Sequence, residues 1–137
     1  MELLNGSKQY KTDGKVIYSC QYHVIFCPKY RRSVLIGKIE QRLKQLVKQK
    51  EQEYHFEILE MEVMPDHVHL LLDVNPKYGI YDIVNHIKGF TSHELRKEFK
   101  ELRTKLPTLW TRSKFISSVG AVTLDVVKRY IEEQKGK

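Results

Sequence analysis

Two histidines separated by a single residue are the clearest chemical feature of the chain. His67 and His69 lie in the stretch Met64–Leu72, where an apolar run after a proline predicts a buried strand. Side chains alternate along a strand, so both imidazoles should point to one face, and Asp66 should point to the other face with the apolar side chains. Two neutral imidazoles on one face can bind a divalent metal, to which Asp66 would not be a ligand. The alternative is a polar pair on the wet face of a half-buried strand.

A second pair of chemically capable residues lies near the C-terminus. The stretch 123–135 reads as a helix capped by Thr123, and Tyr130 and Gln134 are four residues apart within it. That spacing places both side chains on one face of the helix. Tyrosine can be a covalent nucleophile, and glutamine can offer a carbonyl oxygen to a metal. A plain surface or core contact is the alternative.

Composition predicts a single basic domain spanning residues 1–137. The net charge is +7 and the isoelectric point is near 9.4, which favours a polyanionic partner, with nucleic acid first and an anionic membrane surface second.

Residues 1–15 read as a flexible basic arm. No apolar run is long enough for a membrane span or a signal peptide, so we expect a cytoplasmic protein. Cys20 and Cys27 predict neither a disulfide framework nor a structural zinc site, and no glycine-rich loop predicts a nucleotide cofactor.

The order of predicted elements is strand, helix, strand, strand, helix, strand, followed by an extra helix. Hydrophobic periodicity and breaker residues predict four strands, over 16–27, over 54–64, from His67 onward and over 115–122. They predict three helices, over 37–53, 80–100 and 123–135. Residues 104–114 are predicted to be a loop. In the second strand Leu59, Met61 and Val63 should share one side. This order matches an α+β, ferredoxin-like βαββαβ antiparallel sheet with an added C-terminal helix. Such a sheet carries its helices on one face and leaves the other free.

Two groups of residues are candidates for contact with nucleic acid. The first is a basic cluster with an aromatic inside it, suited to phosphate contact and base stacking: Lys29, Tyr30, Arg31 and Arg32. The second is a stripe at a spacing of four on the second long helix: Lys88, Ser92 and Arg96. For both groups the alternative is an ordinary solvated surface.

In these residues the chain resembles the single-tyrosine HUH transposases of the IS200/IS605 insertion sequences. The resemblance rests on segments spread over most of the chain: Tyr22–Phe26 with Pro28–Arg31, Met64–Leu72, Lys88–Gly89 with Ser92 and Leu95, Leu109–Trp110, Ser118–Gly120 and Tyr130–Gln134. A histidine–hydrophobe–histidine motif alone is weak. Its combination with a Tyr-x-x-x-Gln helix, in this order of elements, is specific.

The resemblance implies a role for each matching residue. His67, His69 and Gln134 would bind Mg²⁺ or Mn²⁺, and Tyr130 would attack DNA. The family cleaves and rejoins single-stranded DNA at element ends marked by imperfect hairpins, through a 5′-phosphotyrosine, and it acts as a homodimer.

Three other interpretations of the sequence stay open. A metal-dependent phosphodiesterase that uses activated water would not need Tyr130, and a non-enzymatic nucleic-acid module on a ferredoxin-like sheet would need no metal. A domesticated relative would act on chromosomal repeats.

Overall fold

A four-stranded antiparallel sheet forms the centre of the protein. The computed structural model describes residues 10–120 and Glu132. The sheet has the order β4–β5–β3–β6; its strands are β3 (Gln21–Phe26), β4 (Phe56–Met64), β5 (His67–Val74) and β6 (Phe115–Ser118). Two long helices, α1 (Gly37–Gln49) and α2 (Ile80–Glu98), complete the βαββαβ order. The predicted ferredoxin-like α+β fold is therefore confirmed.

Both helices pack their apolar stripes against one face of the sheet. Strands β3 and β5 contribute alternate residues to the buried cluster, and the helices contribute residues at a spacing of three and four. The cluster includes Val24, Phe26, Val68, Leu70, Leu72, Ile39, Leu43, Leu46, Ile83, Val84 and Ile87. Because alternate residues of β5 fill this core, His67 and His69 point to the face away from the helices.

The segment after α2 folds back along that helix. It begins with a short helix, α3 (Lys100–Lys105), of which the last two residues fall in the loop predicted over 104–114. Trp110 anchors the segment, because its indole N–H donates to the Thr91 hydroxyl at 3.0 Å and its ring packs edge-on against Phe26. The segment therefore covers the last turns of α2 before the chain enters β6.

An additional hairpin precedes the sheet. Its strands are β1 (Lys11–Asp13) and β2 (Val16–Tyr18), which pair in an antiparallel manner. Lys11–Asp13 belongs to the stretch predicted to be a flexible arm, and Val16–Tyr18 to the stretch predicted to be one long strand. Asn75 donates a 2.8 Å hydrogen bond to the Asp13 carboxylate, which ties the hairpin to the end of β5.

The end of one helix and the alternation of one strand differ from prediction because of local backbone geometry. Helix α1 ends at Gln49 rather than near residue 53, and the turn that follows includes His55 with a positive φ of 62°. In β4 the register shifts between Ile58 and Glu60, so Leu59 is a bulge residue. The predicted grouping of Leu59 with Met61 and Val63 is therefore wrong, and Ile58 packs against the core instead.

The predicted C-terminal helix lies outside the described residues, apart from Glu132, which is helical. Tyr130 and Gln134 consequently fall outside this part of the chain. Among the described residues, the helices all fall short of the length and apolarity that a bilayer crossing requires.

Candidate metal centre

Asp66 and Arg31 fix one of the two paired histidines. The His67 Nδ1 lies 2.9 Å from Asp66 Oδ1, and Arg31 Nη2 donates to Asp66 Oδ2 at 2.8 Å. These hydrogen bonds, first from His67 and then from Arg31, lower the pKa of the Asp66 carboxyl. An ionised carboxylate only accepts, so a neutral His67 carries its proton on Nδ1, and its Nε2 keeps the lone pair that a metal needs.

The predicted orientation of Asp66 is wrong. Side chains alternate between the two faces of the sheet only from His67, where β5 begins. Asp66 lies before that point, in the turn that connects β4 and β5. Its side chain therefore turns to Arg31 and His67 instead of joining the core face. Asp66 remains a partner of a candidate ligand and is not itself a ligand in this arrangement.

A third histidine, which sequence reasoning did not assign, contacts the second of the pair. His23 Nδ1 lies 3.0 Å from His69 Nε2, and the two ring centroids are 5.1 Å apart. The register explains the contact, because His23 pairs with Leu71 across β3 and β5, one step diagonally from His69. Alternation along β3 places His23 on the face opposite Val24 and Phe26, but only the pairing of residues 46 apart in the chain brings the two rings together.

The carboxylate of a half-buried glutamate shares the face that carries the histidines. Glu60 pairs with Leu71 across β4 and β5, so its side chain lies on the same side of the sheet as His23 and His69. Its Oε2 atom is buried and has no hydrogen-bond partner among the residues that the structure describes. Sequence reasoning missed this residue because it assigned only the apolar side of the strand, although simple alternation with Met61 and Val63 places Glu60 on the opposite side.

The donor set fits a divalent cation in its chemistry. His67 presents an oriented imidazole nitrogen beside His69, and imidazole is a common ligand for transition metals. Within residues 10–120 and Glu132, no three His, Cys, Asp or Glu side chains are grouped as a complete metal site. Gln134, the third ligand implied by the resemblance, lies outside this part of the chain.

The basic cluster 29–32 lies directly beside the paired histidines. Tyr30 and Arg31 have positive φ values of 60° and 50°, an uncommon conformation for residues other than glycine. Two contacts join this turn to other segments of the chain: the Lys29 N–H donates to the Leu109 carbonyl at 2.7 Å, and Arg31 pairs with Asp66. Tyr30 is 63% exposed as a result, and Arg32 is also exposed.

The stripe predicted on α2 is not an open surface. Lys88 is buried, and its ammonium donates to the carbonyls of Thr111 at 2.7 Å and Ser113 at 3.3 Å. Burial, and secondarily the charge of Lys114, lower the pKa of Lys88. Arg96 likewise donates to backbone carbonyls, and Ser92 is half-buried between them. The folded-back segment covers this side of the helix, so Lys88 and Arg96 bind the protein's own backbone.

Comparison with known proteins identifies the family. The family model described as "Transposase IS200 like" matches residues 16–134. The chain belongs to the IS200-like transposases. It is 37% identical over 123 residues to the ISDra2 transposase TnpA of Deinococcus radiodurans, covering 88% of each chain. It is 31% identical to the transposase of insertion sequence IS200 of Salmonella typhimurium, covering 86% of this chain and 81% of that protein.

Solved structures support the same family and fold. A crystal structure from Deinococcus radiodurans R1, described as that of a transposase, superposes with a TM-score of 0.73 at 34% identity, covering 92% of this chain and 98% of that one. A REP-associated tyrosine transposase bound to a REP hairpin superposes with a TM-score of 0.58 at 16% identity, covering 93% and 68%. The first supports a transposase fold and the second shows a shared fold, whereas the family model and the curated relatives confirm the resemblance to IS200/IS605 transposases.

Proposed function

We propose that this transposase cleaves and rejoins single-stranded DNA at hairpin-marked insertion-sequence ends, with Tyr130 as the nucleophile. The observation that carries the proposal is the oriented His67–His69 pair on the face of the sheet opposite α1 and α2, beside a basic turn, in a chain of this family. Membership of the family supports the class of reaction, and the two oriented imidazoles support the binding of a metal, and with it the scissile phosphate, at this face.

The chemistry requires an attacking oxygen, a stabilised phosphate and a leaving oxygen. The Tyr130 phenolate attacks phosphorus, the bond from phosphorus to the 3′-oxygen breaks, and that oxygen takes up a proton. The products are a 5′-phosphotyrosine and a free 3′-hydroxyl. When bound by His67, His69 and Gln134, Mg²⁺ or Mn²⁺ would neutralise phosphate charge and orient the phosphate. The covalent bond conserves the phosphodiester energy, so another 3′-hydroxyl reverses the step and joins strands.

The basic turn has two distinct tasks in this proposal. Arg31 holds Asp66, and through it His67, whereas Tyr30 and Arg32 extend into solvent, where an unpaired base and a phosphate can reach them. Lys29 lies beside the Tyr30 ring, with its ammonium 5.3 Å from the ring centroid. The neighbour bound to a REP hairpin supports DNA with a hairpin as the substrate class.

Formation of a covalent protein–DNA adduct tests the proposal. The protein is incubated with labelled single-stranded element ends and Mn²⁺ or Mg²⁺, and the products are separated on a denaturing gel. Wild-type protein should give an adduct, Tyr130→Phe should bind hairpin DNA without forming one, and His67→Ala should not cleave. Cleavage by Tyr130→Phe with no adduct would favour a phosphodiesterase that activates water. Binding by wild-type protein without any cleavage would favour a non-enzymatic module.

We further propose that the protein acts as a homodimer in which the helix over 123–135 completes the neighbour's site. Mixed dimers of Tyr130→Phe and His67→Ala subunits test this arrangement. If Tyr130 acts in trans, one of the two composite sites is intact and the adduct returns. Purified mixed dimers that form no adduct would show that the helix acts within its own subunit.

A further inference from the structure

The contact between His23 and His69 restricts how His69 can bind a metal. A hydrogen bond between two neutral imidazoles needs one proton between His23 Nδ1 and His69 Nε2, which are 3.0 Å apart. If His23 donates that proton, the His69 Nε2 lone pair is used and the remaining His69 proton occupies Nδ1. Neither nitrogen of His69 could then bind a metal. If His69 donates, its Nδ1 lone pair is free.

We infer that His23 is a positioning residue that makes His69 a metal ligand through Nδ1. This inference rests on the proposed function, because it concerns the same metal site. His23 accepts the proton of His69 Nε2 and carries its own proton on Nε2. Nothing in the sequence motif distinguishes the two histidines, but the structure gives them different hydrogen-bond partners.

Asp66 gives His67 the opposite tautomer. Its carboxylate accepts from His67 Nδ1 at 2.9 Å and leaves Nε2 available. The two ligands therefore offer different nitrogens, Nε2 of His67 and Nδ1 of His69.

The register of the sheet is consistent with this asymmetry. His23 lies across from Leu71, which is two residues beyond His69 in the direction away from His67. The hydrogen bond to His23 thus holds the His69 Nε2 toward the end of β5 that is remote from His67, and keeps it away from the space between the paired histidines.

Two variants of His23 separate its hydrogen bond from its bulk. An asparagine side-chain amide can reach the position of Nδ1, so His23→Asn should keep an acceptor for His69, whereas His23→Leu removes it. Loss of a hydrogen-bonding partner of a metal ligand typically costs about 10–100-fold in metal affinity. We expect that loss of Mn²⁺ affinity in His23→Leu by calorimetric titration of the full chain, and restoration of most of it in His23→Asn. Thermal unfolding of both variants checks that the sheet is intact.

Nitrogen-15 NMR of the imidazoles tests the tautomers without any metal. Metal-free wild-type protein should show His69 protonated at Nε2 and His67 protonated at Nδ1, and His23→Leu should release the His69 preference alone. A His69 protonated at Nδ1 would overturn the inference, as would His23→Leu with wild-type Mn²⁺ affinity. If wild-type protein binds no Mn²⁺, the metal part of the proposed function fails, whereas the tautomers still decide the role of His23.

Discussion

Replacement of Asp66 by asparagine should weaken metal binding even though the change is nearly isosteric. Each carboxylate oxygen of Asp66 accepts one hydrogen bond, Oδ1 from His67 and Oδ2 from Arg31. An amide has only one oxygen, so its NH₂ group must face one of these partners. If NH₂ faces Arg31, two donors oppose each other. If it faces His67, then Nδ1 becomes an acceptor and the proton moves to Nε2, which blocks metal binding.

The expected size of the effect follows from the part that Asp66 plays. It contacts a candidate ligand and not the metal, and the loss of such a partner costs about 10–100-fold in affinity. Calorimetric titration of Mn²⁺ into wild-type and Asp66→Asn protein measures this loss. Glu62→Gln is a matched control, because Glu62 is exposed and lies opposite His69 on β4. The substitution also removes one negative charge near the site. Because salt screens an exposed charge, Glu62→Gln should cost less Mn²⁺ affinity than Asp66→Asn, particularly at high ionic strength.

A double mutant tests whether Arg31 acts through Asp66. Arg31→Gln should weaken Mn²⁺ binding in the wild-type background and add little in the Asp66→Asn background, because the same hydrogen-bonded chain is already broken. Wild-type Mn²⁺ affinity in Asp66→Asn would refute the reasoning. Equal losses in Asp66→Asn and Glu62→Gln would also refute it, since charge alone would then account for the effect.

Three further predictions concern the buried charges and the basic turn. Burial raises the pKa of the Asp73 carboxyl above its usual 3.8, so the folded protein binds the carboxyl proton more tightly than the unfolded chain does. The folded protein therefore loses stability as the pH rises from 3.8 through the raised pKa of Asp73. Asp73→Asn, which keeps an acceptor for the Cys20 N–H, should therefore raise the urea midpoint at pH 7 and lose this advantage at about pH 3, where both states are protonated. Lys88→Met should lower the free energy of unfolding by about 2 kcal/mol, because it removes charged hydrogen bonds to backbone carbonyls. Lys97→Met, at an exposed position, should have little effect. Equal urea midpoints for the two variants would show that Lys88 does not hold the segment after α2 in place. Arg32→Gln should reduce the log–log salt slope of single-strand binding by about 0.7 per lost phosphate contact and leave Mn²⁺ affinity unchanged, and an unaltered slope would indicate a solvated loop.

Local patterns in the sequence predicted the elements that carry the site. The apolar run after Pro65 predicted the strand of His67 and His69, alternation with a period of two predicted the strand of His23, and the order of elements predicted the sheet. These signals are strong because an antiparallel sheet with one covered face needs apolar residues at alternate positions. The bulge at Leu59 and the turn position of Asp66 interrupt that period, so alternation failed at both residues.

Contacts between distant segments could not be predicted in the same way. The period-four spacing of Lys88 and Arg96 is that of any helix face, and it does not show which face a later segment will cover. The pairing of His23 with His69 depends on strand register, which a single sequence specifies only through the core pattern. The ion pair of Arg31 with Asp66 joins a strained turn to a hairpin turn across 35 residues, with no periodic signal in either.

The turn at residues 29–32 connects the proposed DNA contacts to the proposed metal ligands. Left-handed backbone at Tyr30 and Arg31 is unfavourable for their residue types, so other contacts must hold it. The ion pair with Asp66 is one such contact, and the same carboxylate sets the proton of His67. Tyr30 and Arg32 are the sequence neighbours of Arg31, so a change of their backbone on DNA binding would displace Arg31. Two hydrogen bonds, from Arg31 to Asp66 and between Asp66 and His67, connect that displacement to a proposed metal ligand. This coupling predicts that single-stranded DNA and Mn²⁺ bind with mutual influence on affinity, and that Arg31→Gln uncouples them more than Arg32→Gln does.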